Sequence, residues 1–142
     1  MKARDLTTKQ PPKIIIYGPP GTGKTGLIAQ ASGGILADSG KGMRTALTLQ
    51  DAYTKYRHEI EFEQFIDLDP NKPNAWVKFK EFVFKCNREI RSGTFKYDAF
   101  CVDSLTNFGI AAMKSTMFFA GRDKAQIQDW GTAIEDMRVI RS

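Results

Sequence analysis

The stretch "GPPGTGKT", residues 18–25, constrains this chain more than any other feature of its sequence. Its spacing is glycine, four residues, glycine, lysine, threonine, the pattern of a loop that wraps a phosphate. Gly21 and Gly23 admit backbone conformations that a Cβ would obstruct, so successive N–H groups can turn toward one anion. Ahead of the loop, Ile14, Ile15 and Ile16 are β-branched and do not alternate with polar residues. That run predicts a strand at 14–17, buried on both faces. Behind the loop, Leu27, Ile28 and Ala31 recur at helical spacing. They predict a helix beginning near Gly23, with its positive end aimed at the same anion. Pro19 and Pro20 stiffen the approach without removing a donor from the inner loop. Lys24 then serves as a mobile cation for the β- and γ-phosphates of a nucleotide, and the Thr25 hydroxyl is placed to ligate Mg²⁺. The expected nucleotide contacts are Gly18, Pro19, Pro20, Gly21, Thr22, Gly23, Lys24, Thr25 and Gly26. A plain Gly/Pro-rich turn with a surface lysine is the alternative. It leaves the strand on one side and the helix on the other unexplained.

A phosphate loop needs an acidic partner for its metal, normally at the end of another buried strand. "YDAFCVDS", residues 97–104, supplies one. Ala99 to Val102 are apolar and Asp103 follows, so its carboxylate is expected beside Thr25, holding Mg²⁺ through water. The competing role for Asp103 is to cap the helix that follows, which Ser104 can do equally well. Asp98, ahead of the strand, reads as a turn residue.

The remaining segments alternate in an α/β order. Strands are expected at 14–17, 35–38, 63–68 and 99–103. "TALTLQDAYTKYRHEI" reads as a helix, and so does "NAWVKFKEFVFKCNREIRSG", whose apolar positions 76, 79, 83, 86 and 90 are three and four apart. Asn74 is its expected cap and Gly93 its stop. Trp76, Phe79 and Phe82 fit the core better than a base-stacking surface. The fold expected is a three-layer α/β/α sandwich around a mostly parallel sheet.

Length and 42% hydrophobic content suit one domain with one core, and no run approaches a membrane span. Residues 1–12 carry charge without an apolar stretch and read as a flexible leader, not a signal peptide; a cytoplasmic setting follows. Cys86 and Cys101 sit in apolar patterns and read as reduced core thiols. The single histidine, His58, argues against histidine-based catalysis and reads as a surface residue. Charge is concentrated between Lys72 and Lys96, where seven basic residues face two acidic ones, an excess equal to the +5 of the whole chain. Such a face can track a nucleic-acid backbone, although a solvated helix face is the commoner cause.

"GPPGTGKT" resembles the AAA+ ATPases, whose second motif ends in Asp-Glu, the glutamate polarising the attacking water. Here the pair is Asp103-Ser104, which resembles the RecA-like core, where the catalytic acid comes from an earlier strand. "ILADSGKGMRT" places Asp38 after a short strand and before a Gly-rich turn with Arg-Thr. Together with "VDSLTNF" and "IQDWGTAIEDM", this looks like phage-encoded RecA-like ATP-binding proteins, including those associated with single-strand annealing recombination. The resemblance runs from about residue 13 to the end. It implies a Mg²⁺-dependent ATPase in phage or prophage DNA recombination, with Lys24, Asp38 and Asp103 as catalytic residues. Asp38 stands where a glutamate is usual, Ser39 competes for that position, and a turn aspartate is an equal reading. Lys41 lacks the flanking glycine spacing and reads as solvated. The expected partners are ATP, single-stranded DNA through Lys78, Lys80, Lys85 and Arg88, and, as an open alternative, further copies of the chain; no membrane partner is expected. The resemblance also implies a further strand with a polar sensor residue, lying between the phosphate-loop strand and the Asp103 strand. The sequence stops at Ser142, so the core at 13–142 is expected to be truncated at its C-terminus. Three other readings stay open: an AAA+-type remodelling ATPase, an ATP-gated binding module without turnover, and a small-molecule phosphotransferase.

Overall fold

A computed structural model describes residues 12–40 and 43–140. The leader residues 1–11 and Lys41 lie outside the described residues. Chain order is α1 (Lys24–Ile28), β1 (Ile35–Asp38), α2 (Arg44–Tyr56), β2 (Glu61–Gln64), α3 (Ala75–Ser92), β3 (Phe100–Asp103), α4 (Leu105–Phe119) and α5 (Ile127–Met137). A single 3₁₀ turn, Arg138–Ile140, follows.

The three strands form one parallel sheet in the order β2-β1-β3. Ile35 lies opposite both Glu61 and Phe100, and Asp38 opposite both Gln64 and Asp103. Successive strand side chains point to opposite faces, and this splits the apolar residues into two clusters. On one face Leu36 packs with Ala29, Leu49, Ala52 and Ile60, with Cys101 beside it; this covers the sheet with α1 and α2. On the other, Ala37 packs with Phe65, Trp76, Phe79, Phe108 and Ala133, with Phe100 and Val102 beside them. That face carries α3, α4 and α5. The α/β/α layering expected from the alternating segments is therefore present. Aromatic rings dominate the second cluster: Phe79 and Phe108 stack with centroids 3.8 Å apart, and Phe65 meets Phe79 edge-on at 5.6 Å.

Helix ends follow their local chemistry. Ser104 caps α4, its side-chain oxygen accepting from the Asn107 N–H. Asn74 stands at the cap of α3 but makes no side-chain cap bond. Asp67 does that work instead, accepting from the N–H groups of Asn74 and Ala75 at 2.7 and 2.8 Å. Gly93 stops α3 in the left-handed conformation. At α5, the buried Asp129 accepts from the Gln126 N–H and pairs with Arg122 at 2.8 Å, so its charge is compensated.

Several expectations need correction. Residues 14–17 form no strand, and Ile14, Ile15 and Tyr17 are largely exposed. A run of β-branched residues is buried only where neighbouring strands flank it, and among the described residues the ladders are β1–β2 and β1–β3 alone. The expected strand at 63–68 is shorter and earlier, at Glu61–Gln64; the Phe65 N–H still donates to the Asp38 carbonyl at 2.8 Å, and past it the chain leaves the sheet ahead of Pro70. α2 ends at Tyr56, not at Ile60, since Arg57 turns left-handed, with φ 58°. His58 is half-buried against the Tyr56 ring rather than a surface residue. Trp76 and Phe79 are fully buried, Phe82 partly, and Cys86 and Cys101 are free thiols.

Candidate functional site

The loop at 18–25 stands at the sheet's C-terminal edge, tied to it by one side-chain contact. The Thr25 hydroxyl donates to Asp103 Oδ2 at 2.6 Å, bridging residues 78 positions apart. Thr25 lies on the first turn of α1 and Asp103 at the last position of β3. Within the loop, Gly21 and Gly23 both adopt φ 82°, a left-handed conformation that a side chain disfavours. Nothing lies within 4 Å of the position a Cβ would take at either glycine, so conformation and not crowding demands glycine there. Lys24 Nζ folds back to donate to the carbonyls of Gly18 and Pro19 at 2.8 and 2.7 Å, and the Thr22 hydroxyl donates to the Pro19 carbonyl. Lys24 thus braces the loop with the group that suits a phosphate. α1 is only five residues long. The loop's N–H groups and Lys24, rather than a long helix dipole, are what it offers an anion. Gly26 follows on α1.

The hard-oxygen donor set of Thr25 and Asp103 fits Mg²⁺, which prefers carboxylate and hydroxyl oxygen supplemented by water and phosphate. Both side chains are half-buried at one point, which is what a shared metal would require.

Asp38 lies next to Asp103 in register but faces different partners. It is 1% exposed. Oδ1 accepts from the Gly40 N–H at 2.9 Å and from the Thr45 hydroxyl at 3.3 Å, and Oδ2 accepts from the Gln64 amide at 3.0 Å. It closes the turn between β1 and α2 and reaches across to β2. Thr45 belongs to the Arg-Thr pair noted in the sequence; nothing in the sequence pointed to Gln64.

The basic helix divides. Lys78, Lys85 and Arg88 are exposed on α3. Lys80 is half-buried and pairs with Asp136 of α5 at 2.9 Å, and the Trp76 indole N–H donates to the same carboxylate. A groove of about 780 Å³ runs along this α3–α5 seam and includes no phosphate-loop residue. Asp136 had no signal in the sequence, since its partners lie 56 and 60 residues away.

A parallel sheet with a glycine-rich phosphate loop at its C-terminal edge, and a strand-end aspartate bonded to the loop threonine, defines the P-loop nucleotide-binding class. The comparison with family models agrees: the AAA domain model matches residues 10–139, and the chain belongs to that family of P-loop ATPase domains. Searches of curated proteins and of solved structures returned no match. Among the described residues, no helix is long and apolar enough to cross a membrane.

Proposed function

We propose that the chain binds Mg·ATP through residues 18–26 and Asp103 and hydrolyses it to drive DNA recombination or single-strand annealing, in a phage or prophage setting. The observation that carries the nucleotide reading is the 2.6 Å contact between Thr25 and Asp103, which brings together across the fold the two residues read as the metal-holding pair. Lys24 would exchange its two loop carbonyls for phosphate oxygens, and the N–H groups of the loop would orient the β- and γ-phosphates. Bound Mg²⁺ would supply positive charge to the phosphate oxygens. Hydrolysis joins a water oxygen to the γ-phosphorus, breaks the bond from that phosphorus to the β–γ bridging oxygen, and releases ADP and inorganic phosphate.

In this reading Asp38 holds the end of β1 rather than the attacking water, because both of its oxygens already accept hydrogen bonds and it is out of solvent. The recombination role rests on the Asp103-Ser104 pair and on the exposed Lys78, Lys85 and Arg88. Lys80 leaves that face, its charge being spent on Asp136. A second reading, an ATP-gated binding module without turnover, is favoured by the same burial of Asp38.

The test is phosphate release from Mg·ATP with and without single-stranded DNA. Turnover that rises with DNA supports the recombination reading. DNA-independent turnover removes the DNA coupling and leaves a remodelling ATPase, whereas tight ATP binding without turnover selects the module. No ATP binding at all overturns both.

A further inference from the structure

β1 and β3 finish level with one another, and the residue just past β1 reaches across the gap. Ser39 is 9% exposed. Its N–H donates to the Asp103 carbonyl at 2.8 Å, carrying the parallel ladder one step beyond the strand. Its hydroxyl oxygen accepts from the Ser104 N–H at 2.9 Å. The one hydroxyl proton is shared between the carbonyl oxygens of Asp103 and Ser104, each 3.2 Å away. The backbone groups on both sides of the Asp103–Ser104 peptide therefore end on one residue.

An aspartate carboxylate hangs on only two rotatable bonds, so where its oxygens lie depends directly on how its backbone is held. Asp103 has its Oδ2 on Thr25 at 2.6 Å. The partners that orient a metal ligand matter nearly as much as the ligand itself. Ser39 differs from its neighbour Asp38 in what it holds. Asp38 fixes the turn toward α2 and the link to β2, whereas Ser39 fixes β3 at the residue that meets the phosphate loop.

We infer that Ser39 is a positioning residue for the Mg²⁺ site, setting the backbone of Asp103 and Ser104 so that the Asp103 carboxylate meets Thr25. The inference rests on the reading of Thr25 and Asp103 as the metal-holding pair. A hydroxyl that merely tied two strand ends together would affect stability alone.

Calorimetric titration with ATP in Mg²⁺ and again in EDTA separates these roles, with thermal unfolding measured in parallel. Ser39→Ala is expected to weaken binding in Mg²⁺ about tenfold and to leave binding in EDTA within about twofold, because the loop contacts are untouched. Ser39→Thr keeps the hydroxyl and is expected to restore the Mg²⁺ effect. Ser39→Cys, close to serine in volume, is read in the same way if the alanine variant does not fold. Equal losses in Mg²⁺ and EDTA, no loss in either, or failure of the folded threonine variant to restore the Mg²⁺ effect each overturn the inference. Asp103→Asn is titrated alongside. If it loses the Mg²⁺ effect while Ser39→Ala keeps it, the Ser39 role alone falls; if it keeps the effect, the metal reading falls and takes the Ser39 role with it.

Discussion

One ammonium group, that of Lys24, has one job seen in the structure and a second assigned by the proposed function. In this structure it ties down the carbonyls of Gly18 and Pro19, and on nucleotide binding the same group is the one able to meet phosphate. Lys24→Ala should therefore cost about 2–4 kcal/mol of ATP affinity, roughly one and a half to three decades. Circular dichroism should stay unchanged, because the lysine packs against nothing in either core. Titration calorimetry giving wild-type affinity would remove the loop from nucleotide binding. The loop was legible in the sequence because each of its residues answers a local demand: φ 82° at Gly21 and Gly23, a cation, a hydroxyl. Ser39 and Gln64 were not legible as partners. Their bonds run to positions 65 and 26 residues away, and no local pattern records such a contact.

At the level of elements, the periodicity of α3 placed Trp76, Phe79, Val83 and Cys86 correctly on the buried side, whereas Ile90, the last position of the same series, is exposed in the final turn. The same periodicity also separates the basic residues, since Lys78 and Lys80 lie about 200° apart around the helix and Lys80 borders the stripe of Trp76 and Val83; what it could not name is the partner, Asp136 of α5. The division has a measurable consequence. If Lys78 and Lys85 contact backbone phosphates, the log–log salt slope for single-stranded DNA should flatten by about 1.4 in the Lys78→Gln/Lys85→Gln double variant. Lys80→Gln should leave that slope alone and instead lower stability by about 1 kcal/mol, through the loss of a partly exposed ion pair at the α3–α5 seam. Fluorescence anisotropy across a salt series, with urea unfolding of the single variant, checks both halves. A flattened slope in Lys80→Gln would return that lysine to the DNA face. The 14–17 run shows the opposite limit of element reading. Its composition was sufficient to suggest a strand, but pairing depends on a neighbour that the run itself cannot specify.

For the molecule as a whole, the two thiols sit on different elements, Cys86 on the buried side of α3 and Cys101 on β3 against the Leu36 cluster. Burial pushes both thiols above the ordinary range, with the Glu89 carboxylate adding to the effect at Cys86. A group whose pKa is raised by folding lends stability below its unfolded pKa and loses it as pH climbs through the folded one. The melting temperature should hold through neutral pH and fall above the ordinary thiol pKa of about 8.5, with Cys86→Ala/Cys101→Ala flattening that decline. An equal alkaline decline in the double variant would assign it to other groups. The α/β/α order was readable because apolar and polar segments alternate at the right lengths; the strand order was not, since it depends on which loops close. That order also has a kinetic side. β1 meets β2 across 26 residues but β3 across 65, and the longer closure costs about 0.8 kcal/mol more in chain entropy. The β1–β2 pair with α2 is complete in sequence before β3 is made. Asp103 joins Thr25 only after β3 has emerged, so a metal held by that pair can be a ligand of the finished sheet but not a template for building it, whereas the phosphate loop is complete in sequence long before.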